Sequence, residues 1–176
     1  TITQPAPIDA SVDIIEGVSC NGGNNGRAAV NVNGGVSPFF YNWSNGATTR
    51  VATNLAAGTY NVSIEDGNDC VEIETVVISE PAPVNSNASA TNVSAPGAND
   101  GTASALPSGG ASPYAFRWNT GSTQPNISGL APGSYTVTVT DNNGCSRSQT
   151  VSVGEPDCAV LLSTDSTPAS CNGSDT

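Results

Sequence analysis

The chain repeats itself at a spacing of 75 residues, and no other feature restricts its fold as strongly. Laying 20–83 on 95–158 without a gap leaves 23 of 64 positions identical. The shared residues are structurally demanding types. Gly34-Gly35 falls on Gly109-Gly110, Pro38 on Pro113, Trp43 on Trp118, and Leu55-Ala56 on Leu130-Ala131. Gly58 falls on Gly133, Tyr60 on Tyr135, Asp66 on Asp141, Cys70 on Cys145, and Glu80-Pro81 on Glu155-Pro156. The ends repeat as well: 2–7 is similar to 78–83, and 170–173 to 19–22. The expected organisation is a tail of a preceding repeat over 1–5, full units over 6–81 and 82–156, and the start of a third over 157–176. Such ends predict a window from a longer tandem array. A unit of this length can hold its own core.

Within a unit the apolar residues alternate with polar ones, the period of a half-buried strand. Ile8, Ala10, Val12 and Ile14 predict a first strand, and Ala28, Val30 and Val32 a second. An aromatic strand follows over Phe39–Trp43, then a hairpin signal at Ser44-Asn45-Gly46 and a weak strand over Thr48–Thr53. Tyr60, Val62 and Ile64 predict a fifth strand, and Val71–Ile78 closes the unit. The second copy orients that last strand. Val71 and Ile73 become Ser146 and Ser148, whereas Val76 and Ile78 become Val151 and Val153. Val76 and Ile78 are therefore expected in the core, with a bulge between 73 and 76 to change parity.

Short strands with frequent turns predict an all-β chain of tandem immunoglobulin-like antiparallel β-sandwich repeats. Trp43 and Trp118 are the expected core fillers. In Leu55-Ala56-Ala57-Gly58-Thr59-Tyr60 and its counterpart ending at Tyr135, each Tyr is placed to bond back to the preceding loop, as in a tyrosine corner.

Composition narrows the function. The chain has no His, and its only cations are Arg27, Arg50, Arg117 and Arg147 against fifteen acids, for a net charge of −11. That charge repels phosphate, which argues against nucleic acid and anionic membranes as partners. The commonest general base and the Schiff-base nucleophile are both missing. No apolar run reaches the ~18 residues of a membrane helix.

Five cysteines (Cys20, Cys70, Cys145, Cys158 and Cys171) show no CxxC spacing. They read as disulfide formers of an oxidising, extracellular setting rather than zinc ligands. Four strands separate Cys20 from Cys70. If each strand reverses direction, the two cysteines meet at one end of the unit, and a Cys20–Cys70 bridge is expected. Ala95 replaces Cys20 in the second unit, so the partners of Cys145 and Cys158 are left open. Cys171 matches Cys20 of a further unit, and its partner is expected beyond this chain.

The ordered set Cys20-Asn21-Gly22-Gly23-Asn24-Asn25-Gly26, Gly34-Gly35, Pro38-Phe39, Tyr41-Asn42-Trp43-Ser44-Asn45-Gly46, Leu55, Gly58-Thr59-Tyr60, Asp66, Cys70 and Glu80-Pro81 resembles the SprB repeat. That repeat occurs in surface proteins of the Bacteroidota. The resemblance implies long, secreted, cell-surface adhesins associated with gliding motility or attachment, with repeats forming thin filaments and with no catalytic residue or cofactor. Neighbouring repeats of the same chain are the expected partners, followed by neighbouring filaments or surface glycans. Asp165-Ser166-Thr167 is similar to the O-glycosylation signal of the Bacteroidota, which makes Ser166 a candidate glycosylation site.

Three other chemistries compete. Asp66, Asn68 and Asp69 could offer oxygens to Ca²⁺, but Asx residues are ordinary turn formers, and no metal site is expected. Glu72 and Glu74 become Arg147 and Gln149 in the second unit, so they read as a solvated edge that resists strand addition. The Phe39, Tyr41 and Trp43 stripe is expected to pack in the core; its alternative role is a carbohydrate-binding platform. The leading expectation is a structural and adhesive repeat segment acting as a rigid spacer. The Pro joints after Gln4, Glu80 and Glu155 should be extended and stiff.

Overall fold

The computed structural model describes residues 6–156. Every regular element among them is a strand. The chain divides into two compact units, Thr1–Pro83 and Val84–Thr176.

The first unit contains β1 (Ile8–Glu16), β2 (Gly26–Gly34), β3 (Phe40–Trp43), β4 (Val51–Leu55), β5 (Gly58–Glu65) and β6 (Val71–Ile78). They form two antiparallel three-stranded sheets, ordered β1-β2-β4 and β3-β5-β6. The second unit repeats this with β7 (Ala88–Thr91), β8 (Gly101–Ala105), β9 (Ala115–Trp118), β10 (Asn126–Leu130), β11 (Gly133–Thr140) and β12 (Ser146–Val153). Its sheets are ordered β10-β8-β7 and β12-β11-β9. In immunoglobulin terms these are strands A-B-E facing C-F-G, with no strand D.

Alternation fills the space between the sheets. Val30, Trp43, Leu55, Val62, Ile64 and Ile78 are fully buried in the first unit. Trp118, Leu130, Val137, Val139 and Val153 are buried in the second. Each Trp sits on the strand-C equivalent, and its indole N–H is satisfied: Trp43 Nε1 donates to Thr49 O at 3.0 Å and Trp118 Nε1 to Gln124 O at 2.9 Å. Tyr60 donates its hydroxyl to Ala56 O at 3.1 Å, and Tyr135 to Ala131 O at 2.9 Å. Both tyrosine corners are therefore closed.

Three local expectations change. The weak strand runs over Val51–Leu55 rather than from Thr48. The expected bulge between 73 and 76 is absent, because β5 and β6 pair without interruption from Gly58↔Ile78 to Glu65↔Val71. Glu72 and Glu74 therefore share the inward face with Val76 and Ile78. They are tolerated there because the outer half of this edge strand is only half-buried. A bulge appears instead in β1, between Ile14 and Glu16, and leaves Ile14 and Ile15 exposed.

The Cys20–Cys70 bridge is also overturned. Cys70 is an exposed free thiol, and Cys20 is disulfide-bonded elsewhere. The strand count was right, but the strands do not all alternate. β2 pairs antiparallel with β4, and β3 antiparallel with β5. The Leu55 end of β4 and the Gly58 end of β5 are two residues apart, so β3 and β4 run in the same sense. The chain makes a turn at Gly46, whose N–H bonds Trp43 O, and then crosses to the other sheet. The missing strand D is the one that would have restored alternation. Cys20 thus lies at the β1–β2 end and Cys70 at the β5–β6 end. The eight residues of β5 between these ends span roughly 25 Å. A disulfide tolerates about 7 Å between Cα atoms.

Candidate functional site

The loops at the two ends of each unit, and one outer sheet face, hold the residues that could act. At the β5–β6 end, the repeated Asp is buried. Asp66 Oδ1 accepts from the N–H of Asn68 (2.9 Å) and Cys70 (3.0 Å), and Oδ2 from the N–H of Val36 (2.9 Å). Asp141 repeats the pattern with Asn143 (2.9 Å), Cys145 (2.8 Å) and Ala111 (2.9 Å). One carboxylate thereby ties the β5–β6 turn to the β2–β3 loop. The Gly-Gly pairs make room for it. A Cβ on Gly110, which sits at φ +60°, would lie 2.5 Å from Asp141 Oδ2.

The electrostatics follow from this cradle. Burial works to raise the Asp66 pKa, but the backbone N–H bonds from Asn68, Cys70 and Val36 outweigh it and hold the carboxyl below its usual value. For Asp141 the Ala111 N–H dominates, burial opposes it, and the net direction is again downward. Both oxygens of each carboxylate are committed to N–H donors, so these turns are internally neutralised anion sites. Among the described residues no group of three or more His, Cys, Asp or Glu side chains converges on a common point.

Cys70 lies beside Asp66, whose charge, followed by burial, pushes the thiol pKa up. Cys145 at the matching position is disulfide-bonded. Cys158, Cys171 and Ser166, like the segments 1–5 and 157–176, lie outside the described residues. Alkylation of the native, unreduced chain followed by peptide mapping is expected to mark Cys70 and to leave Cys20 and Cys145 unmarked. A Cys20–Cys70 linked peptide would contradict this.

At the opposite end, Glu80 is more than a boundary marker. Its Oε2 accepts from Gly22 N–H at 2.6 Å, and its Oε1 from Asn21 Nδ2 at 2.8 Å. Asn21 Nδ2 also reaches Pro81 O at 3.2 Å. The β1–β2 loop is thus clamped to the segment that leaves the unit. The second unit lacks this Asn (Pro96 stands there) and uses Asn92 instead, whose Oδ1 accepts from Gly154 N–H at 2.9 Å. Sequence reasoning missed the clamp, although the repeated Glu-Pro and Asn-Gly pairs were its signal.

Gln149 was also passed over. Its Oε1 accepts from Ala88 N–H at 3.0 Å and from Ser86 Oγ at 2.7 Å, and its Nε2 donates to Ala88 O at 3.1 Å. The side-chain amide pairs with the backbone of β7 as a strand residue would, closing the open side of the second sandwich. Glu74 at the matching place has no donor with which to do this.

The aromatic stripe does not form a binding platform. Trp43 is 2% exposed, and Phe39 and Tyr41 are partly buried against the same core. The exposed aromatic of this strand is Phe40, on the opposite face, at 59%.

No curated protein matches the chain. Among solved structures, it is similar to the N-terminal eight Ig domains of Down Syndrome Cell Adhesion Molecule isoform 1.30.30. The identity is 11%, covering 86% of this chain and 25% of that one, with a TM-score of 0.42. It is also similar to a C-terminal 282-residue fragment of intimin, solved with the intimin-binding domain of its translocated receptor. There the identity is 12%, covering 88% of this chain and 65% of that one, with a TM-score of 0.40. The amphioxus IgVJ-C2 molecule aligns at 14% identity, covering 86% and 98% of the two chains, with a TM-score of 0.33. The chain thus spans about a quarter of the first of these and about two thirds of the second. The family model that matches is the SprB repeat, over residues 13–48 and again over 87–123, so each unit has one segment similar to that repeat.

Proposed function

We propose that this chain is a spacer segment of an extracellular bacterial surface adhesin, in which repeated sandwich units act as stiff struts. The observation that carries the reading is the repeat itself: the same sandwich recurs, and each copy ties its loops to strands through side chain–backbone bonds. In the first unit, Asp66 locks one end and Glu80 the other. A unit built this way resists bending, and the Pro after each boundary Glu restricts the joint.

The SprB matches support a surface location. The disulfide-bonded state of Cys20 and Cys145 fits an oxidising setting. An association with gliding or attachment in the Bacteroidota, and contacts with repeats before and after this segment, belong to the same reading. The mechanism is reach: struts in series project a binding end away from the cell, and no covalent chemistry is assigned to any residue. Electron micrographs of rotary-shadowed protein from its native source test this. Thin, long fibres are expected; compact monomers would overturn it.

A further inference from the structure

The two cysteines of the first unit sit at its opposite ends. Cys70 lies where the chain enters: Ala6 and Pro7 share a cavity of about 660 Å³ with Asn68, Cys70, Val71 and Glu72. Cys20 lies where the chain leaves. Its neighbours Asn21 and Gly22 are held by Glu80 and Pro81, and Val18 N–H bonds Ser79 O at 3.3 Å. A strand length of roughly 25 Å separates the two ends, so a unit cannot bridge its own pair.

Both positions nevertheless carry disulfides. Cys20 is bonded, and so is Cys145, which stands where the first unit has Cys70. The turn around it is the same. Cys145 N–H bonds Asp141 Oδ1 at 2.8 Å, as Cys70 N–H bonds Asp66 Oδ1 at 3.0 Å. One turn in one fold thus presents a sulfur that is bonded in the second unit and a free thiol in the first. What the first unit lacks is a partner sulfur, not the turn that presents one.

We propose that Cys70 forms a disulfide with a cysteine in the β1–β2 loop of the repeat that precedes it in the full-length protein. The cavity beside Cys70 receives that loop. The inference rests on the tandem-array reading, under which residues 2–7, similar to 78–83, close such a repeat. The loop cysteine of that repeat would be held at its exit, as Cys20 is beside Glu80 and Pro81, and so meet the entrance of the next unit. Forming the bond releases two protons and two electrons, which a disulfide oxidant of the extracellular space accepts. The Cys70 thiolate attacks one sulfur of the oxidant, and the loop thiolate then attacks Cys70 in the mixed disulfide and leaves the oxidant as a dithiol. The Asp66 charge holds back the Cys70 thiolate, so only a partner held in place reacts readily. The bond ties a joint that Pro already restricts, and it is selective. Ala95 stands at the loop position of the second unit, so that unit offers no sulfur to a repeat after it. Stapled and unstapled joints then occur in one filament.

Peptide mapping of the full-length protein from its native source tests this, with alkylation before any reductant is added. The Cys70 thiol of the 176-residue chain reacts. In the full-length protein it should be fully protected until it is reduced. Its unreduced peptide should be recovered joined to one carrying Cys-Asn-Gly, the loop sequence of Cys20-Asn21-Gly22. The Cys145 peptide should be joined to a Cys-Asn-Gly peptide as well. Alkylation of Cys70 in the unreduced full-length protein would overturn the proposal. So would Cys70 joined to a second Cys70, or Cys145 joined to Cys158. Long fibres with a free Cys70 would sink the bond and leave the spacer reading standing; compact monomers with Cys70 joined to a Cys-Asn-Gly peptide would do the reverse.

Discussion

Trp43→Ala should unfold the first unit well before the second. Trp43 is the largest side chain in a small core, and its indole N–H holds Thr49 O at the crossing between sheets. Removing a buried Trp costs about 3–5 kcal/mol. A unit of this length has a total stability on the order of 4–11 kcal/mol. Its melting temperature should therefore fall by roughly 20 °C or more. Trp118 remains as the only Trp in that variant. Its fluorescence should report an unchanged transition for the second unit while calorimetry shows the first one lowered. Trp118→Ala is the mirror experiment. A single shared transition that moves as a whole in both variants would contradict the division into separate units.

Asp66→Ala should have the next largest effect. It strands three backbone N–H groups, from Val36, Asn68 and Cys70, inside a loop junction with no other acceptor assigned to them by the structure. Buried donors left unpaired are costly, and the first unit should melt on the order of 10 °C lower. Asp66→Asn should rescue little, because its amide turns one acceptor into a donor facing donors. The sign of the pH dependence is fixed by the depressed pKa. The stabilisation is complete above the unfolded carboxyl value of about 3.9. It is lost as pH falls through the lower folded value. The gap between wild type and Asp66→Ala should therefore be constant from neutral pH down to about 4 and narrow below that. A gap that persists undiminished at about pH 2 would contradict the role given to the ionised carboxylate. Asp141→Ala should act in the same way on the second unit.

The repeat made much of this fold legible. Comparing Val71 and Ile73 with Ser146 and Ser148 put the right side chains of β6 in water, and matched Trp and Tyr residues marked the core and the corners. What was not legible depended on which sheet a strand joins. Ser44-Asn45-Gly46 does form a tight turn, but no local signal says that the chain then leaves for the other sheet. Counting strands therefore placed Cys20 and Cys70 together when the fold separates them by a strand length. Parity failed at Glu72 and Glu74 for a related reason. An inward position at a half-covered edge accepts a carboxylate, so no bulge is needed to turn it outward. Asp66 was visible as a repeated turn residue. Its three partners were not, because Val36 comes from a loop thirty residues away in the sequence.

The claim that these units are struts in series is tested most directly by small-angle X-ray scattering on chains of two, four and eight repeats. Stiff joints predict that the radius of gyration grows nearly in proportion to repeat number. Growth close to the square root of repeat number, as for a freely jointed chain, would contradict the account.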